Sequence, residues 1–343
     1  MDYSQFSGSN IRYFHSHEPF PLESGAVLPS VTIAYHTYGE LSSAADNVIW
    51  VCHALTANSD VADWWPDTVK EGGLLDPSKY FIVCANKLGS CYGTTGPLSL
   101  DPATGGPYYL DFPMVTIRDM VQAHKLLASH LGIGHIHALI GGSTGGCQAM
   151  EWAIDEPDRI GVLSATVTSS KTSPWVVANS EAQRMSLRTD KSLFTTDTDG
   201  GKGGLAAARA LSMLIYRNSV AFNKTQFDPE EKLTGFRAAS YQRYQGEKLA
   251  KRFDARCYYR MLEALDSHDV GRGRGGVPAA LATIKAKTVI MGIDSDIMFP
   301  PEEVEVMASH IPGADYYTIH SDFGHDGFLI ETETISEILK GYL

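Results

Sequence analysis

Ser143 stands in Gly141-Gly142-Ser143-Thr144-Gly145, a G-x-S-x-G turn with an apolar run, His135 to Ile140, before it. After it, Cys147 to Asp155 reads as a helix that Pro157 brings to an end. A strand that turns this sharply into a helix strains the serine backbone and makes its side chain protrude, so glycines must flank it. Gly141, Gly145 and Gly146 meet that need. The same turn puts Ser143 at a helix start, where free N–H groups and the helix dipole favour an oxyanion. A phosphate loop would need a lysine that this turn lacks.

A hydroxyl is a weak nucleophile near neutral pH, so Ser143 requires a base, and the base requires an anion to fix its tautomer. A nucleophile on such a turn is followed in chain order by an acid and then a histidine, each beyond a late strand. Gly292 to Phe299 follows a strand and offers Asp294 and Asp296; Phe323-Gly324-His325-Asp326 follows the last strand and precedes the last helix. His325 is therefore the candidate base. The pairs His15/His17 and His135/His137 have the i, i+2 spacing of one strand face, but no Cys or carboxylate cluster at ligand spacing completes either, so no metal is expected. His53, just past a strand, suits the oxyanion side of a site better than the role of base. Gly271, Gly273 and Gly276 fit G-x-G-x-x-G but follow a helical segment, which does not support a dinucleotide site.

The elements that must hold these groups alternate. Asp46 to Cys52, Tyr80 to Ala85, His135 to Ile140, Gly161 to Thr168, Thr288 to Gly292 and Asp315 to Ile319 read as buried strands. Helices are expected from Ile117, with Thr116 as N-cap, at Cys147 to Asp155, at Pro301 to His310 and from about Thr332. This order predicts an α/β fold, a mainly parallel sheet with helices on both faces. Between residues 171 and 284 the alternation stops, and Gly204 to Tyr216, Tyr241 to Lys251 and Arg256 to Leu265 look helical. The expected organisation is a sheet core over 1–170 and 285–343 with an inserted helical cap over 171–284.

With 343 residues, 43% of them hydrophobic and 20% charged, there is ample apolar surface for such a core. The net charge of −12 argues against nucleic acid as a partner. No apolar run is long enough to span a bilayer, and residues 1–20 lack the apolar stretch of an export signal. Five cysteines, two of them inside apolar runs, suit reduced thiols. The expectation is a cytoplasmic protein bound to no membrane.

Several blocks together resemble the homoserine O-acetyltransferase family of α/β-hydrolase-fold enzymes. They are His53-Ala54-Leu55-Thr56, Gly89-Ser90-Cys91-Tyr92-Gly93-Thr94-Thr95-Gly96-Pro97, Asp111-Phe112-Pro113, Thr116-Ile117-Arg118-Asp119-Met120, Gly142-Ser143 with Gln148-Ala149-Met150-Glu151-Trp152-Ala153, Tyr244-Gln245-Gly246, Arg252-Phe253-Asp254, His268-Asp269-Val270-Gly271-Arg272-Gly273-Arg274-Gly275, Ser295-Asp296 with Phe299-Pro300-Pro301, and Gly324-His325-Asp326. The likeness runs in order along nearly the whole chain. It implies Ser143 as nucleophile, His325 as base, Asp296 rather than Asp294 as orienting acid, and an oxyanion hole from the backbone N–H groups of Leu55 and Thr144. It further implies that the cap's Tyr216-Arg217 pair meets the amino-acid substrate, Arg217 holding its carboxylate, while Asp326 meets its ammonium.

The activity so implied moves acetyl from acetyl-CoA, a co-substrate rather than a bound cofactor, to the hydroxyl of homoserine through acetyl-Ser143, a step of methionine biosynthesis. Succinyl transfer, transfer to serine, a carboxylesterase of the same fold and a non-catalytic binding protein are the alternatives. The family commonly has Met where this chain has Thr144, and a Gly-containing continuation where it has Ala57-Asn58-Ser59-Asp60, both close to the acyl site. A homodimer through the cap is expected if the cap helices leave apolar side chains exposed.

Overall fold

The computed structural model describes Gln5 and residues 8–343. Ten strands are present: β1 (Arg12–Ser16), β2 (Phe20–Pro21), β3 (Val27–Leu28), β4 (Val31–Tyr38), β5 (Val48–Cys52), β6 (Phe81–Ala85), β7 (Ile136–Gly142), β8 (Ile160–Thr166), β9 (Lys287–Ile293) and β10 (Asp315–Ile319). Eight form one sheet in the order β1-β4-β6-β5-β7-β8-β9-β10, and β2 and β3 make a separate hairpin. From β6 to β10 every neighbouring pair is parallel, whereas β4 pairs antiparallel with both β1 and β6. Every residue of β5 and β6 is buried, as strands covered on both faces must be.

The helices are α1 (Val61–Trp64), α2 (Ile117–His130), α3 (Thr144–Asp155), α4 (Pro174–Thr189), α5 (Lys202–Tyr216), α6 (Ser219–Thr225), α7 (Arg237–Arg252), α8 (Ala255–Asp266), α9 (Val277–Leu281), α10 (Pro301–Ser309) and α11 (Thr332–Lys340). The Thr116 side chain accepts from the Asp119 amide, and the Asp119 carboxylate accepts from the Thr116 amide. This reciprocal cap starts α2 where the sequence places it. Trp50 of β5 meets Trp152 of α3 edge to face at 5.0 Å, one of the contacts that seat the helix on the sheet.

Six helices, α4 to α9, lie between β8 and β9. They pack chiefly on one another, α5 against α4 and α7, and α8 against α4. The strands of the sequence reading recur within a residue or two of their expected ends. The antiparallel edge β1–β4 and the helix α4 were not anticipated.

Candidate active site

The nucleophile turn is built where β7 passes into α3. Ser143 has φ 56° and ψ −128°, a backbone conformation that L residues with a side chain avoid. Its amide donates to the Thr166 carbonyl of β8 at 2.9 Å. Its own carbonyl accepts from the Gly146 amide at 2.9 Å and the Thr168 hydroxyl at 2.8 Å, so the strained residue is held from both sides. The flanking glycines are required by space. A Cβ on Gly145 would lie 2.0 Å from the Cys52 carbonyl oxygen, and one on Gly141 would lie 2.2 Å from that of Gly145.

Ser143 Oγ lies 2.9 Å from His325 Nε2, and His325 Nδ1 lies 2.8 Å from Asp296 Oδ2. All three side chains are buried. The second carboxylate oxygen of Asp296 accepts from the amides of Met298 at 2.7 Å and Phe299 at 3.1 Å, which fixes its orientation. Burial alone would favour the neutral imidazole of His325. The neighbouring Asp296 and, at longer range, Asp326 outweigh it and raise its pKa above the ordinary value. Asp294 is turned away and engages His320 and the Ser321 amide, so of the two candidate acids Asp296 is the one in contact with His325.

Ser143 and His325 open into a cavity of about 530 Å³ whose wall includes Leu55, Trp64, Arg209, Tyr216, Lys248, Arg252 and Asp326. Among the described residues the Leu55 and Thr144 amides have no acceptor, which leaves both donors for an incoming oxyanion. His53 is fully buried beside the turn, its Nδ1 on the Ala54 carbonyl at 2.8 Å, and burial holds its ring neutral. No group of three or more His, Cys, Asp or Glu among the described residues is placed to hold a metal ion, and His15 is engaged by the Thr32 hydroxyl instead.

The Tyr216–Arg217 pair is separated. Tyr216 closes α5 and faces the cavity, its ring 5.6 Å from that of His325. Arg217, one residue on and about 100° round the helix, leaves the helical path. Its Nε pairs with Asp326 at 2.9 Å, and its side chain lines a neighbouring recess of about 220 Å³. Arg217 is thus joined to the cavity wall through Asp326.

Arg209 puts a guanidinium on the cavity wall, 5.3 Å over the Tyr216 ring. Positions 209 and 216 are two turns apart and share a helix face. That spacing is the signal adjacency in sequence concealed. Two further side chains were missed. Arg252 Nη1 donates to the Thr56 carbonyl and, at 2.6 Å, to the Tyr92 hydroxyl, tying the end of α7 to the loop that carries Leu55. Lys87, fully buried, donates to Thr144 Oγ1 at 2.6 Å.

Comparison with known proteins places this geometry. A family model described as the alpha/beta hydrolase fold matches residues 47–332. The homoserine O-acetyltransferase of Cyclobacterium marinum is 46% identical over 329 residues, 96% of this chain and 94% of that protein. Among solved structures, the homoserine O-acetyltransferase of Staphylococcus aureus superposes with a TM-score of 0.81 at 29% identity, over 97% of this chain and 94% of that one. The acetyl esterase MekB superposes with a TM-score of 0.86 at 25% identity, over 99% and 98%.

Proposed function

We propose that this chain, which belongs to the homoserine O-acetyltransferase family of the α/β-hydrolase fold, moves acetyl from acetyl-CoA to the side-chain hydroxyl of homoserine. The observation that carries this reading is the linked Ser143–His325–Asp296 contact opening into a cavity whose wall carries groups of both charges, the guanidinium of Arg209 and the carboxylate of Asp326 among them. A zwitterionic amino acid needs both; a simple ester needs neither.

In the first half-reaction His325 takes the Ser143 proton as the oxygen attacks the thioester carbonyl. The Leu55 and Thr144 amides bind the oxyanion, the C–S bond breaks with the proton passing to the CoA thiol, and acetyl-Ser143 remains. Homoserine then enters, with Arg209 on its carboxylate and Asp326 on its ammonium. In this arrangement Arg217 holds Asp326 in place. His325 removes the homoserine hydroxyl proton, that oxygen attacks the acetyl carbon, and O-acetylhomoserine leaves as Ser143 is reprotonated. Lys248 on the cavity wall suits the phosphates of the donor. Helices α4 to α9 act as a cap that keeps water from the acyl-enzyme.

No helix among the described residues is long and apolar enough to cross a membrane, in keeping with a biosynthetic enzyme of the cytoplasm. Leu214, Val220, Phe227, Leu233 and Tyr244, all in the cap and all exposed, support a homodimer through it.

The second reading, an esterase, is favoured by the likeness to MekB. Measuring CoA release with and without homoserine separates the two. Release that depends on homoserine, with one O-acetylhomoserine formed per CoA, supports the transferase; release to water at an undiminished rate without acceptor defeats it.

A further inference from the structure

Lys87 follows β6 and is the one lysine among the described residues that the fold buries completely. Among the described residues its ammonium pairs with no carboxylate. The thiols Cys52, Cys147 and Cys84 and the imidazoles His53 and His124 face it instead. Its hydrogen-bond acceptor is Thr144 Oγ1 at 2.6 Å, on the first residue of α3.

That position is doubly unfavourable in the resting protein. Burial strips the ammonium of water without supplying a carboxylate to pair with it, and the N-terminal end of a twelve-residue helix already carries the positive pole of its dipole. A hydrophobic side chain of the same length would cost less. The cost is recovered only when negative charge appears at the start of α3, which is where the tetrahedral intermediate on Ser143 places its oxygen.

We propose that Lys87 is a positioning residue for acyl transfer, holding Thr144 by its hydroxyl so that the Thr144 amide stays aimed at the oxyanion, with a positive charge behind that amide. This rests on the reading of Thr144 as an oxyanion donor. Burial pulls the Lys87 ammonium down to about 8, so the contribution fades as pH rises through that value. Of the thiols facing it, burial pushes Cys52 up to about 12 and holds Cys84 high as well, while His268 helps bring Cys147 to about 7.

The test compares wild type with Lys87→Met and Lys87→Gln, the second retaining a donor for Thr144 without the charge. The CoA burst from acetyl-CoA and the steady-state constants are followed across pH. In Lys87→Met, the burst rate and kcat should fall about tenfold to a hundredfold, the KM for homoserine should stay put, and the alkaline limb near pH 8 should vanish. Lys87→Gln should recover part of the rate but not the limb. Thr144→Val added to Lys87→Met should cost little more, because the two act as one unit.

Removing a buried cation from a helix N-terminus should leave the melting temperature at or above that of wild type, and a clear drop would assign Lys87 to folding instead. A wild-type burst rate and an intact alkaline limb in Lys87→Met would overturn the proposal. If wild type itself gives no acetyl-Ser143, the acyl-enzyme reading fails first; if both proteins form it equally fast, only the role of Lys87 falls.

Discussion

The most discriminating substitutions lie on the two arginines around α5. Arg209 is on the cavity wall, whereas Arg217 is bound to Asp326 beside a separate recess. If Arg209 holds the substrate carboxylate through two charge-assisted hydrogen bonds, each is worth about 1.5 kcal/mol at the lower end, since Arg209 is only half-buried. Arg209→Ala should then lose about 3 kcal/mol of homoserine binding, raising its KM on the order of 100-fold. The CoA burst with acetyl-CoA alone precedes homoserine and should stay within about twofold of wild type.

On the proposed assignment Arg217→Ala removes a partner of Asp326 and leaves the carboxylate contact in place. That pair is partly exposed, 25% and 16%, so the expected loss is about 1 kcal/mol, or roughly fivefold in the same KM. Initial rates over a matrix of both substrates, together with stopped-flow thiol detection, give all of these quantities. A larger homoserine effect in Arg217→Ala than in Arg209→Ala, or an equal rise in the acetyl-CoA KM in Arg209→Ala, would refute the assignment.

Other consequences are as direct. His325 serves as base only when neutral, and Asp296 and Asp326 raise its pKa against the effect of burial, so kcat/KM should climb through a midpoint above 6.5 and be lost at lower pH. A midpoint below 6.5 would contradict that electrostatic picture. Arg252→Met frees the Thr56 carbonyl and the Tyr92 hydroxyl and loosens the Leu55 loop; kcat should fall about tenfold with little change in the homoserine KM, and an unchanged kcat would count against the tether. Gly145→Ala drives a Cβ into the Cys52 and His53 carbonyls, and calorimetry should show a loss of about 3 kcal/mol or more, a fall in Tm of about 5 °C or more. A wild-type Tm would mean the turn yields more easily than its geometry allows.

What could be read from the sequence follows from how each element is buried. Strands β5 to β9 lie inside the sheet; β5 and β6 appear as unbroken apolar runs and β7 to β9 as largely apolar ones, because both faces need apolar side chains. β1 does not: Arg12–Ser16 is an edge strand with mostly exposed side chains and therefore carries no hydrophobic pattern. β4 mixes Thr32, His36 and Thr37 into its apolar positions, and the buried His36 is satisfied by Ser59 through a contact no local pattern reveals. α4 had its Ser173 cap and first-turn Pro174 in view, but only five of its sixteen residues are buried, too faint a stripe to stand out.

At the site, the serine and histidine were legible because the turn and the loop after the last strand fix them locally, while the loop after β9 left Asp294 and Asp296 open and only the family resemblance pointed to Asp296. The rest of the cavity wall was legible only in part: Tyr216 and Asp326 were named, but Arg209 was not, because its place depends on helix phase. Tyr216 and Arg217 are neighbours in sequence but point to different spaces, while Arg209 shares the face of Tyr216 from seven residues away. Lys87 left no local trace beyond a single lysine after an apolar run; its meaning lies in Thr144, 57 residues later.

The account turns on Ser143 carrying the acetyl group between donor and acceptor. Mixing the protein with acetyl-CoA alone, quenching in acid and mapping peptides by mass spectrometry tests this directly. One acetyl group should be found on Ser143, and a chase with homoserine should remove it as O-acetylhomoserine faster than water does. An unmodified Ser143 in protein that is turning over, or an acetyl group there that homoserine cannot discharge, would contradict it.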